Sequence, residues 1–191
     1  MRDDELGRQL LGVARHAIAS ELRLVAAVPA SDGALHRPGA TFVTLFCRDE
    51  LRGCIGSLKA TRAVGIDVRE NALAAAFRDP RFPPLIAAEF EVISIEISLL
   101  SPPDRSRFDR EEELHSRLRP GVDGVALELD DHRATFLPQV WEALPDARAF
   151  MEALKAKAGL PVDFWSPRVN VSLYQVTKWK ESEFMQVQAP S

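Results

Sequence analysis

The chain has 191 residues, 46% hydrophobic and 27% charged, with a formal net charge of -4 and an isoelectric point near 5.6. That profile fits one globular domain of ordinary size with enough chain to bury a core, and it excludes collagen-like and low-complexity classes. The acidic balance argues against nucleic acid as a partner, since phosphate contacts need clustered Lys and Arg, and no apolar run of about 18 residues is present to span a membrane.

Residues 4–23 carry Leu6, Leu10, Val13, Ala14, Ala17 and Ile18 at helical spacing and are expected to form an amphipathic helix. The opening Met1-Arg2-Asp3-Asp4-Glu5 lacks the apolar stretch of a signal peptide. Two cysteines, Cys47 and Cys54, give no disulfide framework, so the expected location is cytoplasmic. Pro29 to Pro38 reads as a loop. Thr41 to Arg48 is almost continuously apolar and reads as a strand covered on both faces.

Asp49-Glu50 is expected to turn the chain into a second strand, Leu51-Arg52-Gly53-Cys54-Ile55-Gly56-Ser57. With a two-residue turn there, Arg48 would pair with Leu51, Phe46 with Gly53 and Leu45 with Cys54. Arg52, Cys54 and Cys47 would then share one face. This stretch carries the candidate chemistry. Cys54 is the candidate nucleophile, and Arg52 would favour its thiolate or hold an anion. Gly53 and Gly56 would leave backbone amides open to a ligand. The opposing reading is packing: cysteine often serves as a small buried hydrophobe, and Gly53 opposite Phe46 would make room for the ring. The residues alone leave both open.

Residues 63–78 form an expected helix with Val64, Val68, Leu73 and Phe77 inward, ended by Asp79-Pro80. Arg81, on the stiff Arg81-Phe82-Pro83-Pro84 connector, is a candidate anion contact; the alternative is a salt bridge to Asp79 or Glu89. Residues 92–100 alternate cleanly as a strand, and a short helix is expected near 110–118. Val125–Leu129 and Arg133–Leu137 read as a hairpin. Helix signals recur at Gln139–Ala143 and Ala147–Ala158, the latter stopped by Gly159 and Pro161, and a last strand is expected near 169–176. Helices interleaved with hairpins favour an α+β fold. No metal-ligand spacing and no phosphate or dinucleotide motif is present, so neither metal nor cofactor is expected. His16, His36, His115 and His132 are scattered, and none is tied to Cys54 by spacing.

Leu51–Gly56 resembles the signature hexapeptide of the AMMECR-type domain, called AmmeMemoRadiSam system protein A in prokaryotes. Asp79-Pro80-Arg81-Phe82-Pro83-Pro84-Leu85 is similar to its Asp-x-Arg-Phe-x-Pro segment. Phe136-Leu137-Pro138-Gln139-Val140 and Lys157-Ala158-Gly159-Leu160 are similar to later motifs. The resemblance covers roughly residues 5–184 of the single domain expected over 1–191. Gly121-Val122-Asp123-Gly124 departs from it, with Asp123 where a histidine is usual, and the segment after Val140 is shorter. The resemblance implies a mostly antiparallel sheet flanked by helices, a larger and a smaller lobe, and the hexapeptide near their contact. It implies a genomic neighbourhood with Memo-type and radical-SAM proteins, hence the candidate partners, and supplies no reaction. Two functions follow as expectations. One is a binding or accessory module acting with such partners. The other is a small cytosolic enzyme using Cys54 in a cleft with Arg52, with a small anionic ligand.

Overall fold

A computed structural model describes residues 3–26 and 33–185, and within them the chain divides into two compact units. The first unit holds the residues up to Leu100 and those from Thr177; the second runs from Ser101 to Val176. The α+β expectation holds, with helices beside two four-stranded, mostly antiparallel sheets.

The first unit opens with α1 (Asp4–Glu21), whose first turn is capped by the Asp3 carboxylate accepting from the Leu6 amide at 3.1 Å. Its apolar stripe buries Leu6, Leu10, Leu11, Ala14 and Ile18. Of the expected Pro29–Pro38 loop, residues 29–32 lie outside the described residues, and Gly33–His36 form a 3-10 turn. Then come β1 (Ala40–Cys47), β2 (Glu50–Gly56), α2 (Val64–Phe77) and β3 (Ile93–Leu100). The strands lie in the order β2-β1-β3, with β8 (Val176–Lys180) beyond β3.

Alternation sorts the two faces of this sheet. Val43 lies opposite Ile97, Leu45 opposite Ile95 and Cys47 opposite Ile93, and this face builds the core with α1 and α2. Burying each such aliphatic side chain is worth roughly 1.5–3 kcal/mol. The other face carries Phe42, Thr44 and Phe46 opposite Ser98, Glu96 and Ser94. Strand β1 is therefore not apolar on both faces, as its composition suggested; its second face is half-buried and partly polar.

The second unit contains β4 (Asp104–Ser106), α3 (Glu111–Arg117), β5 (Gly124–Leu129), β6 (His132–Phe136), α4 (Ala147–Lys157) and β7 (Asn170–Tyr174). Its sheet runs β4-β7-β5-β6 over a core of Val125, Leu127, Phe150, Leu154 and Val171. The expected helix at Gln139–Ala143 is a 3-10 turn over Pro138–Glu142. It carries Trp141, stacked on Phe150 with centroids 3.9 Å apart. Asp123, at the position of the usual histidine, is buried and accepts from the Arg119 amide at 2.9 Å and its Nε at 3.0 Å. That carboxylate closes the turn before β5.

The chain returns to the first unit through β8 (Val176–Lys180) and α5 (Glu181–Met185), neither anticipated from sequence. Trp179 is 1% exposed in the core, and its ring occupies the space beside Gly7 of α1. Arg15 ties the ends together, donating to Phe90 O at 2.8 Å, Ile93 O at 2.9 Å and the Glu181 carboxylate.

Candidate functional site

The hexapeptide lies on β2, an edge strand. Its hairpin turn is Arg48-Asp49, not Asp49-Glu50. Both residues take positive φ, 51° and 67°, as a two-residue type I′ turn requires. Cys47 therefore opposes Glu50, and Phe46 opposes Leu51. A β-bulge follows: Leu45 opposes Gly53, which leaves Arg52 without a partner on β1. Thr44 then opposes Cys54, and Phe42 opposes Gly56. The expected register is wrong at every pair, because two non-glycine residues adopt the left-handed turn and a bulge inserts Arg52.

The new register reassigns both glycines. A Cβ on Gly53 would lie 2.2 Å from the Ala75 carbonyl oxygen, so β2 packs directly on the backbone of α2. It is Gly56 that accommodates a phenylalanine, with its Cβ position 2.2 Å from the Phe42 ring. Both are close-approach positions.

Cys54 is half-buried on the outer face, where its Sγ accepts from the Thr44 hydroxyl at 3.3 Å. An edge strand leaves alternate backbone groups unpaired. Here two side chains of the Asp79-Pro80-Arg81 segment satisfy them. The Cys54 amide donates to Asp79 Oδ2 at 2.9 Å, and the Cys54 carbonyl accepts from Arg81 Nη2 at 3.2 Å. Asp79 and Arg81 in turn bond each other, Nε to Oδ1 at 2.9 Å and Nη2 to Oδ2 at 2.6 Å. Together they substitute for a further strand. Arg81 is thus in the salt bridge to Asp79 that was its alternative reading.

The Arg81 guanidinium, aided by the Cys54 and Arg81 amides, holds the Asp79 carboxyl well below the usual carboxylate range. Between that depressed value and the ordinary one near 3.9 the unfolded chain binds the extra proton, so stability rises with pH there. The contribution is complete above about pH 4 and is lost as pH falls toward the folded value. Asp79→Asn is expected to flatten the acid limb of Tm measured against pH, and to lower stability at neutral pH by about 1–3 kcal/mol. An unchanged acid limb would remove Asp79 from this role.

Arg52 makes a two-pronged pair with Glu89, Nε to Oε1 at 2.8 Å and Nη2 to Oε2 at 3.0 Å. Its side chain is 11% exposed, and Nη1 is buried without a hydrogen-bond partner among the described residues. Arg52 keeps Glu89 below the usual carboxylate range. The cation beside Cys54 is Arg81 rather than the expected Arg52, whose thiol neighbour is Cys47. Phe82 lies under both guanidiniums, 6.0 Å and 5.5 Å from centroid to Cζ. Two motifs some 25 residues apart therefore form one cluster.

Register also reveals partners that sequence reasoning missed. Thr44 stands directly between Cys54 on β2 and Glu96 on β3. Glu96 is 8% exposed and meets Lys178 at 3.4 Å and Lys180 at 3.5 Å. A polar row thus crosses the outer face through all four strands. The only signal for it was the period-two spacing of Ser94, Glu96 and Ser98. Among the described residues the hydrogen-bond partners of Cys54 are Thr44, Asp79 and Arg81, and no histidine is one of them. His115 and His132 belong to the second unit.

A family model described as AMMECR1 matches residues 11–179. A Methanothermobacter thermautotrophicus protein is 35% identical over 184 residues, covering 92% of this chain and 94% of its own. A Sulfolobus acidocaldarius protein is 33% identical over 186 residues, covering 93% and 82%. Among solved structures, the uncharacterised protein PH0010 from Pyrococcus horikoshii matches with a TM-score of 0.80 and 29% identity, over 95% of this chain and 93% of that one.

Proposed function

The chain belongs to the AMMECR1 family, and from that premise we propose that it is a binding module acting with Memo-type and radical-SAM proteins through the β2 edge around Cys54. The observation that carries this reading is the state of the two motif arginines. Each guanidinium is held by a carboxylate of its own, Glu89 for Arg52 and Asp79 for Arg81. They brace a surface rather than stand open to an anionic substrate. A nucleophilic thiol also needs a base within reach, and the side chains bonded around Cys54 are a hydroxyl, a guanidinium and the Asp79 carboxylate, which Arg81 holds well below the usual range and so makes a weak base. Leu51, Leu58 and Ile86 flank the cluster and are 42%, 49% and 59% exposed. Apolar side chains beside a polar braced edge are the composition of a protein contact.

The test is a binding assay with purified Memo-type and radical-SAM proteins. Leu51→Glu is expected to weaken capture at least tenfold, while Cys54→Ser stays within about threefold of the parent, as truncating a rim contact does. Equal capture by parent and Leu51→Glu would count against the surface.

One observation favours the enzymatic reading: the Thr44 hydroxyl donates to Cys54 Sγ, which stabilises a thiolate. On that reading Arg81, not Arg52, is the cation beside the nucleophile. Alkylation of Cys54 by iodoacetamide at neutral pH would then outpace free glutathione by tenfold or more, and Thr44→Val would remove most of that advantage. A rate at or below that of glutathione supports the module.

A further inference from the structure

We propose that the second unit works as a clip on the first: its fold holds together the two chain ends that lead out of β3 and into β8, and when it opens, β8 and α5 detach. The first unit is discontinuous. Its residues up to Leu100 and those from Thr177 are joined only through residues 101–176. Whatever holds the ends of that interval together therefore sets how easily β8 finds β3. The inference stands independently of the reading of the β2 edge.

The second unit closes its own ends. Its first strand, β4, pairs with its last, β7, in the register Asp104 with Leu173, Arg105 with Ser172 and Ser106 with Val171. Just outside that ladder the Ser101 amide donates to the Gln175 carbonyl at 2.9 Å. The Gln175 amide donates in return to Ser101 Oγ at 3.0 Å. The chain thus enters and leaves through one zipped pair. The core that backs this sheet, with Val125, Leu127, Phe150, Leu154 and Val171, is drawn from the same interval.

What the clip holds is lightly attached. Strand β8 is the edge beyond β3, and Trp179 is the one large side chain it buries in the core. The Glu181 carboxylate that follows accepts from the Ile95 amide at 2.8 Å and from Arg15 Nε at 2.9 Å. With the second unit folded, the ends are already adjacent and β8 docks at little entropic cost. With it unfolded, docking must close a loop of about 75 disordered residues, which disfavours it about a thousandfold. Burying one large aromatic ring favours it by a factor on the order of a thousand. The two effects are of equal size, so β8 and α5 lose their hold once the second unit opens. Elements α1, β1, β2, α2 and β3 lie on one continuous stretch of chain and carry no such dependence.

Amide hydrogen exchange on the full chain, in urea below the unfolding transition, tests the clip. Phe150→Ala deletes a fully buried ring of the second unit. It is expected to speed exchange at Leu127 and Val171, on the interior strands β5 and β7, by about a hundredfold or more. Phe150→Leu, a milder truncation, serves if the alanine variant does not fold. The β8 amides that exchange slowly in the parent are expected to speed by a similar factor, while Val43 and Leu45 of β1 stay within about threefold. Unchanged β8 amides beside accelerated Leu127 and Val171 overturn the proposal, because the clip then opens without releasing β8. Acceleration of Val43 and Leu45 in step with the rest overturns it too, because the chain then opens as one piece.

Discussion

Asp67→Ala is expected to destabilise the first unit by about 3–5 kcal/mol, the range for stranding the partners of a buried charge. Asp67 is 1% exposed on the first turns of α2. Its Oδ2 accepts from the Thr41 amide at 2.8 Å, the Thr41 hydroxyl at 2.7 Å and Asn71 Nδ2 at 3.0 Å. Its Oδ1 accepts from the Ser57 hydroxyl and from Arg62 Nε, both at 2.8 Å. One carboxylate thus fixes the start of β1, the residue following the hexapeptide, and the connector into α2. Alanine leaves several donors without an acceptor in a space closed to water. Arg62→Ala should cost less, because the Arg62 side chain is 38% exposed and its loss leaves the Asp67 carboxylate the donors of Thr41, Ser57 and Asn71. Asp67→Asn falls between, since its amide nitrogen must face a donor. Urea unfolding of the three variants checks the order. The whole stability of a domain is about 5–15 kcal/mol, so Asp67→Ala takes a large share of it. An Asp67→Ala loss no greater than that of Arg62→Ala would show that the network is dispensable.

What could be read from sequence follows from one-sided burial. Ile93, Ile95 and Ile97 face one core, and α1 and α4 each bury one stripe, so periodicity found these three elements, while α2, buried over most of its circumference, was marked by its alanines and by the Asp79-Pro80 stop. The β1–β2 register was not legible because Arg48 and Asp49 carry no glycine-like signal for positive φ, and a bulge has none. Strand β8 was missed because Val176-Thr177-Lys178-Trp179-Lys180 offers a single large apolar residue, Trp179, to the core. At the site, unusual residue types drew attention to Arg52, Gly53, Cys54, Gly56 and Arg81. Asp79 was legible as a partner of Arg81 two residues away, whereas Glu89 beside Arg52 and Thr44 beside Cys54 are of ordinary type, and only tertiary structure brings them there. The burial of Lys155 on α4 was hidden by its type, since a lysine on an amphipathic helix reads as solvated. Its place four residues after the fully buried Met151 was the available clue.

Gly53→Ala is expected to cost about 2–3 kcal/mol or more, the upper range for forcing an extra carbon into a packed interior. The reason lies in what the carbon meets. At Gly53 it is the Ala75 carbonyl oxygen, 2.2 Å away, which belongs to the backbone of α2 and can move only with the helix. At Gly56 it is the Phe42 ring, a half-buried side chain that can turn aside, so Gly56→Ala should cost less. At Gly12, on the exposed side of α1, nothing lies within 4 Å, and alanine there should stabilise by about 0.5–1 kcal/mol through helix propensity. Three glycine-to-alanine changes thus have effects ordered by the neighbour alone, and thermal unfolding reads them. Ala75→Gly gives a sharper discrimination. It removes a methyl group but leaves the carbonyl, so it should not rescue Gly53→Ala; rescue would mean that the contact is side chain to side chain. The consequence extends to the site. Displacing β2 from α2 moves the Cys54 amide off Asp79 and its carbonyl off Arg81. Amide exchange at Cys54 should therefore accelerate in Gly53→Ala by more than global destabilisation accounts for. Exchange that speeds only in proportion to the global loss would separate the packing of the hexapeptide from its braced edge.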